Sequence, residues 1–325
     1  MLSRVADSLY WMSRYLERAE HTARLLDVNL HQMLDQTPES AEQRWERVAT
    51  SLRVALPAEN LRDAYRVTES LAVDQSCSFS IVSSIAGARY NARQVWEQIS
   101  TEMWEQINRL YLSLNPIAME HLWHTGPHEF FSHVKEGIHL LQGITDATMS
   151  HGEGWHFIQV GRYTERATQT ATLLDVHFDG VRITDNTDEA TDDYLEWVGL
   201  LKSCTAFEAY AKVHTASIKP DLIAAFLLFD AEFPRSVRFA ASRIQTSLQA
   251  IAHIAGVRSG GRPERAAGRL RSALEYGNID DILADDLHNQ LTFIQEQCEQ
   301  IHAAIYQSYI DYPVGAALAA QRQAG

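Results

Sequence analysis

Apolar side chains in the N-terminal segment alternate between spacings of three and four positions. The series is Leu2, Val5, Leu9, Met12, Leu16, Ala19, Ala23, Leu26, Leu30 and Met33. It predicts one long helix near residues 3–34 with a bundle seam on one face. The opposite face is equally regular: Tyr10, Arg14, Glu17, His21 and Val28. Because a solvated face rarely mixes Tyr and Val with charges so regularly, we expect this helix to be contacted on both sides.

Helical periodicity continues along most of the chain. It predicts further helices at about 78–114, 128–150, 155–178, 194–213, 220–229, 234–255, 263–276 and 284–311. The polar stretch 179–193 and the Gly/Arg-rich stretch 256–263 are typical of loops. No strand pattern persists beyond a few residues, so the pattern predicts an all-α protein with two bundle-like halves.

Part of the first helix occurs a second time in the chain. Residues 14–28 and 162–176 are identical at eleven of fifteen positions, at an offset of 148. A repeat of this length indicates two copies of one structural unit. We therefore divide the chain into two related helical halves, residues 1–150 and 151–325.

A weaker correspondence extends the repeat beyond a single helix. Residues 71–81 resemble residues 227–237, with an aspartate and a serine at matching positions. Each unit should therefore contain several helices. We expect the two units to pack about a pseudo-twofold axis, which would bring the two repeated helices together.

The composition is that of a globular protein. The chain has 325 residues, of which 46% are hydrophobic, and no stretch approaches the ~20 uninterrupted apolar residues of a membrane span. Its start lacks the apolar core of a signal peptide, which argues against secretion. Cys77, Cys204 and Cys298 lack metal-type spacing and are typical of reduced thiols. These features predict a cytoplasmic protein without a membrane partner.

The charge balance is acidic, with a net charge of −14. A protein-wide basic field is therefore absent, and we expect no nucleic-acid partner. The basic residues are 24 arginines and only four lysines. Arginine suits bidentate pairing with carboxylates or phosphates, although genomic base composition explains the same bias more simply.

The repeat includes charged positions as well as apolar ones. They are Arg14, Glu17 and Arg18 in the first copy and Arg162, Glu165 and Arg166 in the second. One interpretation is a buried ion-pair network that fixes the register of the halves. The other is a site in which the carboxylates act as acid, base or cation ligands and the arginines bind a carboxylate or phosphate.

We predict that at least one of Glu17 and Glu165 is mostly buried and bonded to arginine. The arginines of the repeat are the first candidate partners, and Arg89 and Arg93 are the next. His21 lies one turn beyond Glu17 and could transfer protons near neutral pH. Its counterpart is Gln169, so such a site would be asymmetric, and a structural role is the simpler interpretation.

Two other positions suggest specific contacts. Asp27 and Asp175 lie late in the repeated helices, where a carboxylate opposes the helix dipole, so each should have a partner. For Asp27 we expect an arginine from 89–93. Arg235 stands beside a predicted helix start, where it would suit an anion.

A group of histidines suggests a metal site but lacks its usual features. His121, His124 and His128 lie near Glu120 and Glu129, but a Thr-Gly-Pro stretch breaks any helix before His128. No His-Glu-x-x-His motif is present, so a surface or loop cluster is favoured. We also find no phosphate-binding loop, no Gly-x-Ser-x-Gly motif and no Cys/His pair with informative spacing. The sequence therefore predicts neither a metal nor a cofactor.

Several short segments spread over nearly the whole chain form a distinctive set. These segments are Leu2-Ser3-Arg4-Val5-Ala6-Asp7, Arg14-Tyr15-Leu16-Glu17-Arg18-Ala19-Glu20, Ala88-Arg89-Tyr90-Asn91-Ala92-Arg93, Glu102-Met103-Trp104-Glu105, Gln142-Gly143-Ile144-Thr145-Asp146, Gly154-Trp155-His156-Phe157, Gly161-Arg162-Tyr163-Thr164-Glu165-Arg166-Ala167 and Phe233-Pro234-Arg235-Ser236-Val237. Together they resemble the bacterial alpha-E domain proteins. The resemblance implies a helical fold. The second copy departs from the first at Thr168 and Gln169, which replace Glu20 and His21.

The resemblance also implies a functional setting. Genes of such proteins lie beside, or are fused to, a circularly permuted ATP-grasp ligase, often with a transglutaminase-like protease and sometimes a proteasome-like peptidase. This implies a role as partner or co-catalytic component of an amide- or peptide-forming system, with the ligase as a separate polypeptide. The alternatives are a stand-alone acyl or peptide transferase using Glu17 or Glu165 with His21, and a purely structural scaffold.

Overall fold

The computed structural model describes residues 1–33, 38–114, 118–179, 191–215, 217–256, 260–278 and 287–311, and most of these residues are helical. The helices before residue 150 are α1 (Ser3–Gln32), α2 (Pro38–Ser51), α3 (Ala64–Thr68), α4 (Ile81–Gln94), α5 (Thr101–Leu114), α6 (Met119–Thr125) and α7 (Pro127–Thr148). Those after it are α8 (Glu153–Phe178), α9 (Thr191–Ser203), α10 (Phe207–His214), α11 (Pro220–Phe229), α12 (Val237–Ile254), α13 (Arg262–Tyr276) and α14 (Leu287–Ile305). The described residues contain no strand, so the all-α prediction is confirmed.

Two of the long predicted helices are interrupted. The predicted run 78–114 is wrong, because α4 ends at Gln94 and α5 begins only at Thr101. The hydroxyl of Ser100 accepts the backbone N–H of Met103 at 3.2 Å and so caps the start of α5. The run 194–213 is broken by Thr205, whose φ of 53° is incompatible with a right-handed helix.

Other boundaries agree more closely with the sequence analysis. Gly126 has a φ of 108° and separates α6 from α7, as the Thr-Gly-Pro stretch predicted. Helix α2, whose Trp45 and Val48 are buried, was not among the predicted helices. Residues 180–190 of the first predicted loop and 257–259 of the second lie outside the described residues, and α9 and α13 begin within the predicted loops, at Thr191 and Arg262.

The packing centres on the contact between the two longest helices, α1 and α8. On one side, α1 also packs against α4 and α7, and α5 packs against α4 and α7. On the other side, α8 also packs against α12 and α14, and α13 packs against both of these. The buried apolar residues of both four-helix groups belong to one continuous core.

Small side chains allow α1 and α8 to approach closely. Ala19 and Ala23 on α1 and Ala167 on α8 are fully buried at this contact. A Cβ atom on Gly161 would collide with the Tyr10 carbonyl oxygen, so only glycine fits there without a shift of α1. This close approach brings charged side chains on the two helices within bonding distance.

None of the helices among the described residues has both the length and the apolar character that crossing a membrane requires.

A buried arginine and glutamate cluster as the candidate functional site

The contact between α1 and α8 buries two glutamates. Glu17 on α1 is 0% exposed and Glu165 on α8 is 6% exposed. Both are bonded to arginine, which confirms the expectation of a buried, paired carboxylate. The face of α1 opposite its apolar seam is therefore buried as well, as its regular pattern predicted.

The two glutamates are paired crosswise between the helices. Arg166 holds both oxygens of Glu17, with Nε 2.6 Å from Oε1 and Nη2 2.9 Å from Oε2. In the other direction, Arg18 Nε donates to Glu165 Oε1 at 2.8 Å, and Arg14 Nε donates to Oε2 at 2.6 Å. Each Glu-Arg dipeptide is thus bonded to the other. Charge-assisted, partly bidentate pairs of this kind fix the register of two helices.

A third buried carboxylate, Glu20, lies one turn beyond Glu17 and is also 0% exposed. Its Oε2 accepts a hydrogen bond from Arg235 Nη2 at 2.6 Å, and its Oε1 is paired with Arg24. Arg235 also comes within 3.5 Å of Glu17 Oε1. Arg235 was expected to suit an anion, and the anion that it contacts in this structure is the protein's own.

Glu20 and Arg24 were not predicted as site residues from the sequence. Their i,i+4 spacing on the helix that carries Glu17 was a usable signal. His139 on α7 was also missed, and its Nε2 lies 3.4 Å from Glu20 Oε1. No sequence signal identified His139, because only the packing of α7 on α1 brings it to the cluster.

The arginines keep the glutamates ionised despite their burial. Burial alone would raise the pKa of Glu17, but Arg166 and Arg235 outweigh it and lower that pKa to about 2. The pKa of Glu165 is also lowered, because Arg14 and Arg18 outweigh its burial. Both carboxylates are therefore anions at neutral pH and weak bases.

His21 is buried beside these charges. Burial, reinforced by the positive charge of Arg235, lowers its pKa from 6.5 to about 4, so the imidazole is neutral at pH 7. Its Nε2 atom is buried and has no hydrogen-bond partner. Since its pKa is far below neutral, His21 is a poor match for proton transfer at physiological pH.

Arg162 differs from Arg14, its counterpart in the repeat. Arg162 is 8% exposed, yet no ion pair within 4 Å reaches it among the described residues. Burial, together with the neighbouring Arg166, lowers the pKa of Arg162. For Arg14, Tyr10 and Glu165 outweigh the effect of burial, so its pKa is raised.

The two outer arginine candidates are not paired with the buried glutamates. Arg89 donates to Asn108 Oδ1 at 2.6 Å and stacks over the ring of Tyr111. Arg93 is exposed near the end of α4. The expected pairing of Asp27 with an arginine from 89–93 is therefore wrong.

Asp27 is instead bonded to α7. Its Oδ1 lies 2.8 Å from His128 Nδ1, and its Oδ2 accepts from Lys135 Nζ at 2.5 Å. Ligand atoms of Asp27, His31 and His128 all lie within 4.8 Å of one another, so this group could hold a metal ion. Lys135 already places a positive charge on the same carboxylate, which weakens the attraction for a cation.

The buried thiols do not provide an activated nucleophile. Burial raises the pKa of Cys204 to about 12 and that of Cys298 to about 11. Both thiols therefore remain protonated at neutral pH and unreactive.

The comparisons with known proteins agree with this description. The Alpha-E family model, described as a predicted alpha-helical domain with a conserved ER motif, matches residues 1–310. The chain has Glu-Arg dipeptides at 17–18, 46–47, 165–166 and 264–265. The first and third are the two that bond to each other across the α1–α8 contact.

The relatives found among curated proteins are longer than this chain. An uncharacterised protein of Mycobacterium bovis is 26% identical over 332 residues, covering 93% of this chain and 35% of that protein. Two uncharacterised proteins of Mycobacterium tuberculosis are 26% and 25% identical with the same coverage. The chain thus spans about a third of the length of these relatives. No solved structure matches it.

Proposed function

This chain belongs to the Alpha-E family, and we propose that it acts as the partner of a circularly permuted ATP-grasp ligase in an amide- or peptide-forming system. In this role it organises or assists the ligase, which is a separate polypeptide and supplies the ATP-dependent chemistry. A transglutaminase-like protease is a further candidate partner. The ligase setting comes from the resemblance to alpha-E domain proteins. The geometry bears on whether this chain or the ligase carries out the chemistry.

The observation that carries this proposal is the ionised, arginine-bound state of Glu17 and Glu165, the two glutamates at matching positions of the repeat. Arg166 and Arg235 lower the pKa of Glu17 to about 2, so this carboxylate is too weak a base to accept a proton at neutral pH. Glu165 is held by two arginines in the same way. Together with the neutral His21 and the protonated thiols, this favours an organising role over a stand-alone transferase.

The length of the relatives supports a role in combination with other domains. In each mycobacterial relative, 65% of the protein lies outside the matched region. A unit that occurs within larger proteins commonly contributes to a function shared with its neighbours.

We further propose that residues 1–150 and 151–325 are copies of one helical unit related by a pseudo-twofold axis. Three observations support this arrangement. The Glu-Arg dipeptides pair reciprocally. Ser80 and Ser236 cap the starts of α4 and α12. Asp27 and Asp175 each lie within hydrogen-bond distance of a histidine near the start of a long helix, in α7 and α14 respectively.

Reconstitution with the ATP-grasp protein of the same organism tests the proposed partnership. The ligase is assayed alone and with this chain, with candidate amino acids, for ATP hydrolysis and new amide products. We expect the two proteins to bind and amide formation to require both. An Arg62→Gln variant, altered at an exposed surface arginine, is the matched control and should support full activity.

Two results would overturn the proposal. A ligase that is fully active alone and never binds this chain would rule out the partnership. Turnover of an activated substrate by this chain alone, abolished in a folded Glu17→Gln variant, would establish the transferase instead.

A further inference from the structure

Positive charge exceeds negative charge inside the α1–α8 contact. The cations are Arg24, Arg162 and Arg166, which are buried, and Arg14, Arg18 and Arg235, whose side chains keep 12–14% exposure; the anions Glu17, Glu20 and Glu165 are all buried. The chain as a whole carries a net charge of −14, so this local excess opposes the general balance. A buried charge without a counterion is costly unless another group neutralises it.

Part of this excess lies beside Glu17 and Glu20. Arg24, Arg166 and Arg235 share the two carboxylates of Glu17 and Glu20. One positive charge at this end of the cluster therefore lacks a counterpart among the described residues.

Two nitrogen atoms without a hydrogen-bond partner belong to α1 residues at this same end of the cluster. The Nε atom of Arg24 and the Nε2 atom of His21 are both buried and have no hydrogen-bond partner. Arg24 Nε carries a hydrogen, and neutral His21 donates from Nε2 in one of its two tautomers. Buried polar atoms of this kind are normally bonded, so their grouping beside surplus positive charge points to a missing acceptor.

This end of the cluster has a side chain that reaches the surface. His139 on α7 lies 3.4 Å from the Glu20 carboxylate, and its own side chain is 51% exposed. Arg24 and Arg235 retain 10% and 12% side-chain exposure. Arg235 directly precedes Ser236, the N-cap residue of α12, whose N-terminal dipole adds positive potential.

We propose that Arg24, Arg235 and His21 bind one small oxyanion, the carboxylate or phosphate group of a metabolite, which enters beside His139. The oxyanion supplies the missing negative charge and accepts from the unpartnered nitrogens. Guanidinium groups bind both carboxylates and phosphates through paired N–H donors. A metal cation would add to the surplus positive charge and is therefore disfavoured at this position.

The second copy of the repeat provides the matched test variant. Thr172 is the counterpart of Arg24, so Arg24→Thr introduces a residue that the equivalent helix already accommodates. Isothermal titration and thermal unfolding are measured with inorganic phosphate and with succinate, at constant ionic strength set by chloride. We expect saturable binding of at least one probe, with a rise in Tm. Arg24→Thr should weaken binding at least tenfold, and Arg62→Gln should leave it unchanged.

A second variant guards against a folding defect in Arg24→Thr. His139→Ala changes the half-exposed entrance and removes no buried ion pair between arginine and glutamate, so it should fold and bind several-fold more weakly. Preference for phosphate or for succinate identifies which oxyanion the site favours. The proposal is overturned if neither probe binds saturably, if chloride stabilises equally, or if folded Arg24→Thr and His139→Ala bind as tightly as the wild type. Because only this chain is measured, failure here leaves the ligase partnership unaffected.

Discussion

The two Glu-Arg pairs of the α1–α8 contact have different surroundings. Beyond Glu165, the next positions on α8 are Thr168 and Thr172, whose hydroxyls each donate at 2.9 Å to a carbonyl of their own helix. Beyond Glu17, the same positions on α1 are Glu20 and Arg24, which are buried and paired with each other. At these positions the Glu165 side has hydroxyls bonded to their own helix, whereas the Glu17 side has charges, one of which is paired with an arginine from outside α1.

The contrast continues in the turn that precedes the helix packed beside each pair, α4 or α12. Arg18 stacks over Phe79 at 4.8 Å, and the position that corresponds to Phe79 in the second half is Arg235. An aromatic ring on one side is thus replaced by a third arginine on the other. We conclude that the crosswise pairing is the shared structural element, and that the chemistry specific to this protein is concentrated on the Glu17 side.

The largest expected effect comes from removing a charge of the shared pairing. Glu17→Gln leaves Arg166 without its bidentate partner in the interior, so we expect a loss of about 3–5 kcal/mol in the free energy of unfolding. Glu165→Gln should cost about 3 kcal/mol, because Arg14 and Arg18 are slightly more exposed than Arg166. Urea denaturation of both variants measures the difference. A loss below about 1 kcal/mol for both, the value for exposed pairs, would contradict a structural role for the pairing.

The next largest effect is expected in acid unfolding, where the Glu17 side should differ from the Glu165 side because of His21. Burial lowers the pKa of His21 from 6.5 to about 4, so the folded protein binds this proton less readily than the unfolded chain. Its contribution to stability is therefore complete above pH 6.5 and is lost as the pH falls towards 4. The charged groups that face His21 are Arg235, Glu17 and Glu165, and the pKa of Glu17, about 2, lies below this window.

The matched variant is His21→Gln, which introduces the residue of the second copy, Gln169. It should remove up to about 3 kcal/mol of the stability difference between pH 7 and pH 4, at ~1.4 kcal/mol per pKa unit. His177, whose pKa burial also lowers to about 4, contributes in the same window. His177→Asn is therefore the control and should remove a separate part. An unchanged pH profile in His21→Gln would show that His21 is not buried as a neutral imidazole.

The sequence predicted the shared part of this comparison better than the unshared part. The repeat identified both Glu-Arg pairs, and regular 3/4 spacing predicted α1 and α8 to within a few residues, because both signals are local. The partners of Glu20 and Asp27 were missed, since His139, His128 and Lys135 reach α1 only through the packing of α7. Helix breaks at Val95 and Thr205 depend on backbone angles that apolar periodicity does not report.

The smallest effects concern Arg14 and Arg162, the two arginines that begin the repeated segments. Only the change at Arg162 is expected to stabilise the protein. Arg14 donates to Glu165 at 2.6 Å, and hydrogen bonds to charged groups contribute about 1.5–3 kcal/mol, so Arg14→Gln should destabilise the protein by about 2 kcal/mol. Arg162 is buried without an ion pair in the described part of the chain, and Arg162→Gln should leave stability unchanged or raise it by about 1 kcal/mol. Thermal unfolding in chloride buffer without phosphate or carboxylates measures both variants. Equal losses in the two variants would mean that Arg162 has a partner as strong as that of Arg14, and the asymmetry between the two sides would then be smaller than the ion pairs indicate.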